Sequence, residues 1–564
     1  MGLEQISEQV IDTDVLVVGG GVAGCCAAAR AAENGLKVTL TEKGHTERSG
    51  NAGQGIDHYG PFPNDGITWK ELIQQVEASQ NDINGGGRFA NSNVLFQHFK
   101  HKLWSMEELE KLGVPVKWHD GDYYWFPRAD HPRGARYWLR VHWQDIKPIL
   151  SKAIKKRGVN VLERTMVIDL LTTEGTVVGA TALNVRTGAF IVIKAKAVVM
   201  ATGMFQRCYE NEGIMPWNYN LRYDGCPATL SGDGYALAYR AGAEIVNMDC
   251  NGHGYRLRDD LLISGGNLVH NDGLPSNDMT WTGEEIATTN TEKYAELERK
   301  GLTPLYRNLA HLPDDYHKRM EIAFVDEKMV DFKFAEERGA NPRTHHYELC
   351  ALKPLTFMAA TGIFIDENHR STMDGLYGIG DCAAPLHDCA NAAVSGFLTA
   401  DYLPDIISKT AEPVIDEAQV ENQKKLALAP LKVKKGAEPL EVECSVRYIC
   451  EHYVSIFKSE GKLREGLRRI GSLRREFLPK MKAGNPHELM RALEARNVLN
   501  LAEAHLNACL SRKETRGFFV RLDYPERDPA RDDMLTFQRM ENGKEVLEIK
   551  QVPGLKLEYA KEIE

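Results

Sequence analysis

The sequence lacks closely spaced cysteines, although it contains eleven cysteines in 564 residues. Only Cys25 and Cys26 are adjacent, and no C-x-x-C motif occurs. Iron–sulfur clusters need several thiolates at close spacing, so we expect none in this chain. A disulfide framework is typical of small secreted domains and is not expected in so long a chain. Most of these cysteines are therefore predicted to be buried, unreactive thiols.

Long apolar runs and an excess of basic residues are also missing. No apolar segment approaches the ~20 residues that span a bilayer. The first residues, MGLEQISEQVIDTD, lack the basic start and apolar centre of a signal peptide. The formal net charge of -10 disfavours nucleic acid as a partner, because phosphate binding needs a basic surface. These features predict a cytoplasmic protein of several domains, without a transmembrane segment or a nucleic-acid partner.

The first fifty residues contain the pattern of a βαβ unit. The Val-rich run at 13–18 predicts a buried strand that ends at GGGVAG. The Ala-rich residues 23–32 predict a helix, and residues 37–40 predict a second strand. One such unit at this length is the core of a dinucleotide-binding fold.

The motif Gly19-x-Gly21-x-x-Gly24 lies between the predicted strand and helix. Gly19 allows a tight turn, Gly21 lets the backbone approach a pyrophosphate, and Gly24 permits close packing of helix on strand. Glu42, at the end of the second strand, suits a carboxylate that binds a ribose hydroxyl. A glycine triplet alone is also typical of an ordinary turn, but here strand, helix, strand and acid occur together. The segment therefore predicts a site for an ADP-containing cofactor.

Two later segments favour FAD over NAD, which the glycine spacing does not distinguish. The run AVVMAT at 197–202 predicts a buried strand, and GLYGIGD at 375–381 predicts a late strand ending in a turn. An ordinary turn at a strand end is the alternative interpretation of each. The residues in these two segments predicted to contact FAD are Ala201, Thr202, Gly203, Gly380 and Asp381.

The composition along the chain predicts an α/β fold with several parts. Residues 1–244 and 345–410 are predicted to form a Rossmann-like FAD-binding domain. It is interrupted by residues 245–344, predicted to be an inserted α+β capping domain that meets the substrate. Leu, Ile and Arg at helical spacing predict a C-terminal helical domain at 416–510. Residues 511–564 alternate and are charged, which predicts a tail packed on another surface.

Four segments resemble the fumarate reductase, succinate dehydrogenase and aspartate oxidase flavoprotein superfamily. They are ERSGNAGQGID, GDGYALAYRAGAE, GLYGIGD and SRKETRG. The ERSG-x-x-x-QG segment and the stretch RYWLRVHWQDIKPILSKAIKK are most similar to the adenylylsulfate reductase alpha subunit. The resemblance implies an FAD-dependent oxidoreductase. It also implies further cofactor contacts at Lys43, Arg48, Ser49, Gly50, Gln54, Gly55, Asp233 and Ser395.

The resemblance is informative where this sequence departs from the family. Succinate dehydrogenases bind FAD covalently through a histidine, and the matching position here is Ser49, so non-covalent FAD is predicted. Fumarate reductases use a histidine and two arginines for substrate, and the matching positions are Phe357, Leu262 and Ala392. Reduction of fumarate needs cations that clamp the dicarboxylate and a proton donor. These three residues supply neither, so fumarate is not the expected substrate.

The adenylylsulfate reductase resemblance implies cationic and aromatic contacts with an anionic substrate. It places Arg256 and Arg258 in a substrate-facing segment, Trp217 near the flavin and His253 beside a substrate-histidine position. A surface ion pair is an equally good interpretation of either arginine, and core packing is one of Trp217. Adenylylsulfate reductases also have a histidine where Phe357 stands, so the substrate stays open.

Three functions are compatible with the sequence. The first is a catalytic flavin subunit that passes electrons between a small anionic substrate and a separate iron–sulfur partner. The second is a reductase of an activated C=C bond other than fumarate. The third is a flavin-bearing electron-transfer subunit without a substrate of its own. No metal site is predicted, because the pair His345 and His346 lacks further ligands at metal spacing.

Overall fold

The computed structural model describes most of the chain. The described residues are 2–56, 58–63, 91–118, 121–127, 136–141, 143–209, 227–250, 253–254, 277–286, 291–314, 317–318, 337–341, 343–349, 353–354, 357, 360–516, 519–556 and 558–559. The strands in these parts are β1 Gln9–Val18, β2 Val38–Glu42, β3 His58–Pro63, β4 Tyr124–Pro127, β5 Arg136–Arg140, β6 Asn160–Glu163, β7 Thr165–Thr173, β8 Thr176–Asn184, β9 Phe190–Met200, β10 Ile245–Val246, β11 His253–Gly254, β12 Asn277–Thr280, β13 Glu285–Ile286, β14 Leu305–Asn308, β15 His346–Leu349, β16 Lys353–Pro354, β17 Gly362–Phe364, β18 Leu376–Gly378, β19 Ala383–Ala384, β20 Phe457–Lys458, β21 Val520–Arg521, β22 Met534–Glu541 and β23 Lys544–Gln551. The α-helices are α1 Leu3–Ile6, α2 Val22–Glu33, α3 Ser92–Lys111, α4 Ile146–Lys156, α5 Asp233–Ala241, α6 Thr291–Arg299, α7 Asp388–Ile407, α8 Glu417–Leu428, α9 Pro439–Ile449, α10 Glu460–Ser472 and α11 Pro486–Ser511.

A seven-stranded sheet forms the centre of the molecule. Its order is β6-β2-β1-β9-β8-β7, and β18 pairs with β9. The strands β6, β2, β1, β9 and β18 run parallel, while β7, β8 and the start of β9 form an antiparallel meander. Parallel strands joined through helices are typical of a dinucleotide-binding fold, which binds ligands at the carboxyl ends of the strands.

Alternate residues of β1 enter two different cores because side chains along a strand point to opposite faces. Val15 and Val17 pack with α2 and α7 on one face. Leu16 and Val18 face the other side, in one core with Tyr235 of α5 and residues of the helical region 439–511. Both faces of the central sheet are therefore covered, which explains why residues 15–18 are a continuous apolar run.

A second sheet of five strands has the order β19-β17-β10-β22-β23. The hairpin of β22 and β23 comes from the region predicted to be a tail. It joins the sheet through antiparallel pairing of Ile245 with Gln538 and of Val246 with Phe537. One layer therefore contains β10, the hairpin and strand β19, which directly follows a turn.

A four-stranded antiparallel sheet has the order β13-β12-β14-β15, and its first three strands and helix α6 lie in the region predicted to be an inserted domain, whereas β15 lies just beyond residue 344. Tyr294 and Leu297 of α6 pack with Leu305 and Tyr347 in a separate small core. The predicted boundaries of all the domains stay predictions.

Helices α8 to α11 occupy the region predicted to be helical. The N-termini of α8 and α11 have side-chain caps: Asp416 accepts a hydrogen bond from the amide of Ala418, and Asn485 accepts one from the amide of Glu488. Helix α9 begins with a capping box at Glu438. Among the described residues no helix is both long and apolar enough to cross a membrane.

Candidate functional site

A cavity of about 320 Å³ lies at the carboxyl ends of β1, β2, β9 and β18. Val18, Glu42 and Ala201 line it at or just beyond three strand ends, and the first residues of α2 and α7 line it from one side. This is where open parallel sheets bind their ligands. The residues predicted to contact the cofactor that line this cavity are Gly19, Gly21, Glu42, Lys43, Gly50, Gly55, Ala201, Thr202, Gly203, Asp233, Gly380 and Asp381.

The glycine turn has the geometry that the sequence predicts. Gly19 has a φ of 105°, in the region that favours glycine. A Cβ on Gly24 would lie 1.9 Å from the carbonyl oxygen of Gly19, so the helix packs against the turn only because Gly24 has no side chain. A Cβ on Gly21 would meet nothing within 4 Å, since this residue borders the cavity. The turn therefore leaves its backbone open to a ligand.

Glu42 is buried and accepts hydrogen bonds from two backbone amides at the turn. One carboxylate oxygen accepts a hydrogen bond from the amide of Gly20 at 2.8 Å, and the other accepts one from the amide of Gly44 at 2.6 Å. Each carboxylate oxygen has a second lone pair that remains available to a ribose hydroxyl. Glu42 is thus a structural support and a candidate ligand contact at once.

Lys43 and Asp233 lie together in the cavity wall. The ammonium of Lys43 donates to Asp233 at 2.6 Å, to Glu494 at 2.6 Å and to Ser231 at 2.8 Å. The other oxygen of Asp233 accepts a hydrogen bond from Asn497 at 2.8 Å. Burial lowers the pKa of Lys43, but the two carboxylates outweigh burial and raise it. Because Glu494 and Asn497 belong to α11, the helical region holds this part of the wall.

Three buried polar atoms at the cavity have no hydrogen-bond partner among the described residues. They are Oδ1 of Asn51, Oδ1 of Asp381 and Nδ1 of His387. The last two lie 3.8 Å apart, which is too long for a hydrogen bond. Buried polar groups are normally paired, so these atoms fit the polar groups of bound ligands.

Some predicted cofactor residues support the cavity without lining it. Ser395 accepts a hydrogen bond from the amide of Gly380 at 3.0 Å, and Ser49 donates to the carbonyl of Gly20 at 3.4 Å. The Arg48 side chain is 60% exposed and lies 3.7 Å from Asp145, away from the cavity. The side chain of Gln54 lies outside the described residues.

The predicted substrate residues cannot be placed beside the cavity. Arg256, Arg258, Trp217 and Leu262 lie outside the described residues, and of His253 only the backbone, in β11, is described. These assignments stay predictions.

Two positions that depart from the fumarate reductase pattern are described. Ala392 lines the cavity and brings no charge to it. Phe357 is fully buried, stacked on Phe205 with ring centroids 5.1 Å apart and edge-on to His505 at 4.9 Å. The cationic and acid–base groups of the family are therefore absent at both positions.

Sequence reasoning missed His387, Asp388 and Lys147. His387 and Asp388 line the cavity at the start of α7, and Asp388 has a φ of 80°, which is unusual for a residue other than glycine. Burial lowers the pKa of His387, but Asp381 and Asp388 outweigh burial and raise it. The sequence HDCAN at this point carries no signal beyond its place soon after the GIGD turn. Lys147 donates a hydrogen bond to the carbonyl oxygen of Gly20 in the glycine turn.

Comparison with known proteins gives two family models. The FAD binding domain matches residues 14–252, and the fumarate reductase flavoprotein C-terminal domain matches residues 445–560. The fumarate reductase flavoprotein subunit of Haemophilus influenzae is 24% identical, covering 98% of this chain and 96% of that protein. The L-aspartate oxidase of Yersinia pestis is 26% identical, covering 67% and 71%. The solved adenylylsulfate reductase of Archaeoglobus fulgidus has a TM-score of 0.82 at 24% identity, covering 97% of each chain.

These matches confirm the predicted α/β fold class, the predicted superfamily resemblance and the prediction of FAD as cofactor. They also confirm that the chain is an enzyme, as predicted. Substrate, partner and the roles of single residues need separate argument.

Proposed function

Because this chain is an FAD-dependent oxidoreductase of the fumarate reductase and adenylylsulfate reductase flavoprotein family, we propose that it is a catalytic flavin subunit acting on a small anionic substrate. It exchanges electrons between that substrate and a separate iron–sulfur protein. Bound FAD supplies the two-electron redox chemistry. The protein supplies binding, orientation and charge.

We infer that the glycine turn and the N-terminus of α2 hold the pyrophosphate of FAD. The first amides of a helix are free to donate, and the helix dipole favours an anion there. Glu42 is placed for the adenosine ribose, while Asp381 and Asn51 offer unpaired oxygens to the rest of the cofactor. Ser49 stands where succinate dehydrogenases attach FAD, and serine forms no such bond, so FAD is held non-covalently.

The cavity wall at His387 is the observation that supports an anionic substrate. Its imidazole sits at the start of α7, and the nearby carboxylates raise its pKa, which favours the protonated form. A helix N-terminus and a protonated imidazole together favour a bound anion. The predicted His253, Arg256 and Arg258 of the inserted region and the predicted Trp217 of the FAD-binding domain complete this proposal.

Fumarate is disfavoured by two positions, of which one lines the cavity. The uncharged Ala392 and the buried Phe357 replace an arginine and a histidine of the fumarate reductases. Without these groups a dicarboxylate loses one charge clamp and one polar contact. Sulfite and an adenylyl phosphate need cationic and aromatic contacts, which the predicted Arg256, Arg258 and Trp217 would supply, and this favours an adenylylsulfate-reductase-like reaction. Phe357 does not discriminate between the two reactions, because adenylylsulfate reductases also have a histidine at that position.

The test is AMP-dependent oxidation of sulfite by the purified flavoprotein, with ferricyanide as electron acceptor. Sulfite is expected to bleach the flavin absorption band, and AMP is expected to stimulate ferricyanide reduction. His387→Asn should lower the AMP-dependent rate by about 10-fold or more, while His452→Asn, on the exposed surface of the helical region, should leave it unchanged. Reoxidation of reduced flavin by enoates, without any response to sulfite, would instead select a C=C reductase.

The iron–sulfur partner is proposed because the described cysteines are free thiols, most of them buried. An iron–sulfur protein co-expressed with this chain should accept electrons from sulfite through its flavin. Direct turnover of the single chain with NAD(P)H would contradict the need for such a partner.

A further inference from the structure

The carbonyl oxygen of Gly20, inside the glycine turn, accepts hydrogen bonds from three side chains. The ammonium of Lys147 makes a short contact with it, and Cys25 Sγ and Ser49 Oγ each lie 3.4 Å away. On its other side, the amide of Gly20 donates to Glu42 at 2.8 Å. The peptide between residues 20 and 21 is therefore fixed with its carbonyl towards the protein interior.

The neighbours of Gly20 face the opposite way. Gly19 and Gly21 line the cavity, and the space beside Gly21 is open. A peptide whose carbonyl points inwards presents its N–H in the opposite direction. The N–H of Gly21 is thus presented to the cavity, next to the free first amides of α2.

Lys147, the second residue of α4, is a fully buried cation. Besides Gly20, its ammonium contacts the thiol of Cys25, at 3.7 Å. Burial raises the pKa of that thiol, so the thiol is neutral. Within the part of the chain that the structure describes, Lys147 forms no ion pair with a carboxylate. Burying a charge without a counter-ion is unfavourable, so an anionic ligand close to this lysine would stabilise it.

We propose that Lys147 is the buried counter-charge of the FAD pyrophosphate and acts through the peptide between Gly20 and Gly21. The ammonium withdraws electron density from the carbonyl and strengthens the N–H of Gly21 as a donor to the phosphate. Lys147 is a positioning residue, since the peptide stands between it and the cavity. The inference rests on the proposed placement of the pyrophosphate at the glycine turn.

The experiment measures the affinity of apoprotein for FAD by flavin fluorescence, and for ADP and adenosine by competition. Lys147→Met removes the charge, and Lys147→Gln keeps an N–H donor without the charge. Lys152→Met is the matched control, because Lys152 is an exposed lysine of the same helix. Far-UV circular dichroism and thermal unfolding of each apoprotein report folding.

Both Lys147 variants should bind FAD and ADP roughly 10- to 100-fold more weakly, the range expected for loss of a charge-assisted hydrogen bond. Adenosine, which has no phosphate, should bind within about twofold of the original protein, and so should all three ligands in the control. The Lys147→Met apoprotein should be at least as stable as the unmodified one, because an uncompensated buried charge is gone.

Unchanged ADP affinity in a folded Lys147 variant would overturn the proposal. An equal loss for adenosine and ADP, or failure of both variants to fold, would assign Lys147 to the structure of the apoprotein and would also overturn it. If the unmodified apoprotein fails to bind ADP, the placement of the pyrophosphate itself is wrong, which separates the two failures.

Discussion

Replacing Glu494 with glutamine is expected to lower the free energy of unfolding by about 3–5 kcal/mol. The Glu494 side chain is 1% exposed. Its carboxylate lies 2.6 Å from the ammonium of Lys43, 2.7 Å from the guanidinium of Arg207 and 2.6 Å from that of Arg491. Burial raises the pKa of Glu494, but these three cations outweigh burial and lower it. Glutamine keeps the shape and removes the charge, which leaves the cations buried with too few counter-ions.

The surrounding charges set this magnitude. The cluster consists of the cations Lys43, Arg207, Arg447 and Arg491 and the carboxylates Asp233, Glu443 and Glu494. Four cations already face three carboxylates, and the substitution leaves only two. Arg207 is itself 1% exposed, so water cannot replace the missing charge. The expected loss in free energy of unfolding is therefore that of a broken buried ion pair and not that of a surface pair.

Urea-induced unfolding of the apoprotein at pH 7, followed by far-UV circular dichroism, measures the change. Glu503→Gln is the control: it is the same exchange on the same helix, but Glu503 is 35% exposed and, among the described residues, its ion-pair partner is Arg474. Its expected loss is at most about 1 kcal/mol. Because the folded pKa of Glu494 is depressed, its contribution is present above about pH 4.5 and disappears as pH falls through the folded value. A loss below about 1 kcal/mol for Glu494→Gln would refute the reasoning.

Three further substitutions test the glycine turn, a buried histidine and the cavity wall. Gly24→Ala should abolish FAD retention, because the new Cβ would lie 1.9 Å from the oxygen of Gly19; a normal ratio of flavin to protein absorbance would contradict this. Burial lowers the pKa of His369 to about 3, so the unfolded chain is protonated first and stability falls by about 1.4 kcal/mol per unit as pH drops below about 6.5. His369→Asn should flatten this slope in urea titrations between about pH 6 and 4.5; equal slopes would refute the assignment. Asp388→Asn should lower the pKa of His387 and move the alkaline limb of the activity profile to lower pH; an unmoved limb would exclude His387 as the titrating group.

The βαβ unit could be predicted because its signals are local. Strands predicted at 13–18 and 37–40 are observed as Gln9–Val18 and Val38–Glu42. The first strand begins earlier than predicted because residues 9–14 alternate between exposed and buried positions and lack a continuous apolar run. Their extended form comes from pairing with β9, which local sequence does not reveal.

The supports behind the site could not be predicted in the same way. Lys147 meets Gly20 from 127 positions away, and Glu494 meets Lys43 from 451 positions away. No local pattern encodes such contacts, and lysine and glutamate are normally surface residues, so a sequence gives no reason to bury them. The glycines that line the cavity can therefore be predicted from sequence. The buried charges that support the turn and the cavity wall are evident only in the tertiary structure.

The position of the β22–β23 hairpin in the chain also affects when flavin can bind during biosynthesis. Its strands leave the ribosome after β10, β17 and β19, yet they complete the sheet that contains those three strands. Strand β19 directly follows the turn Gly380–Cys382, whose first two residues border the flavin cavity. Flavin capture is thus expected to wait for the hairpin, and nascent chains stalled before residue 534 should stay colourless.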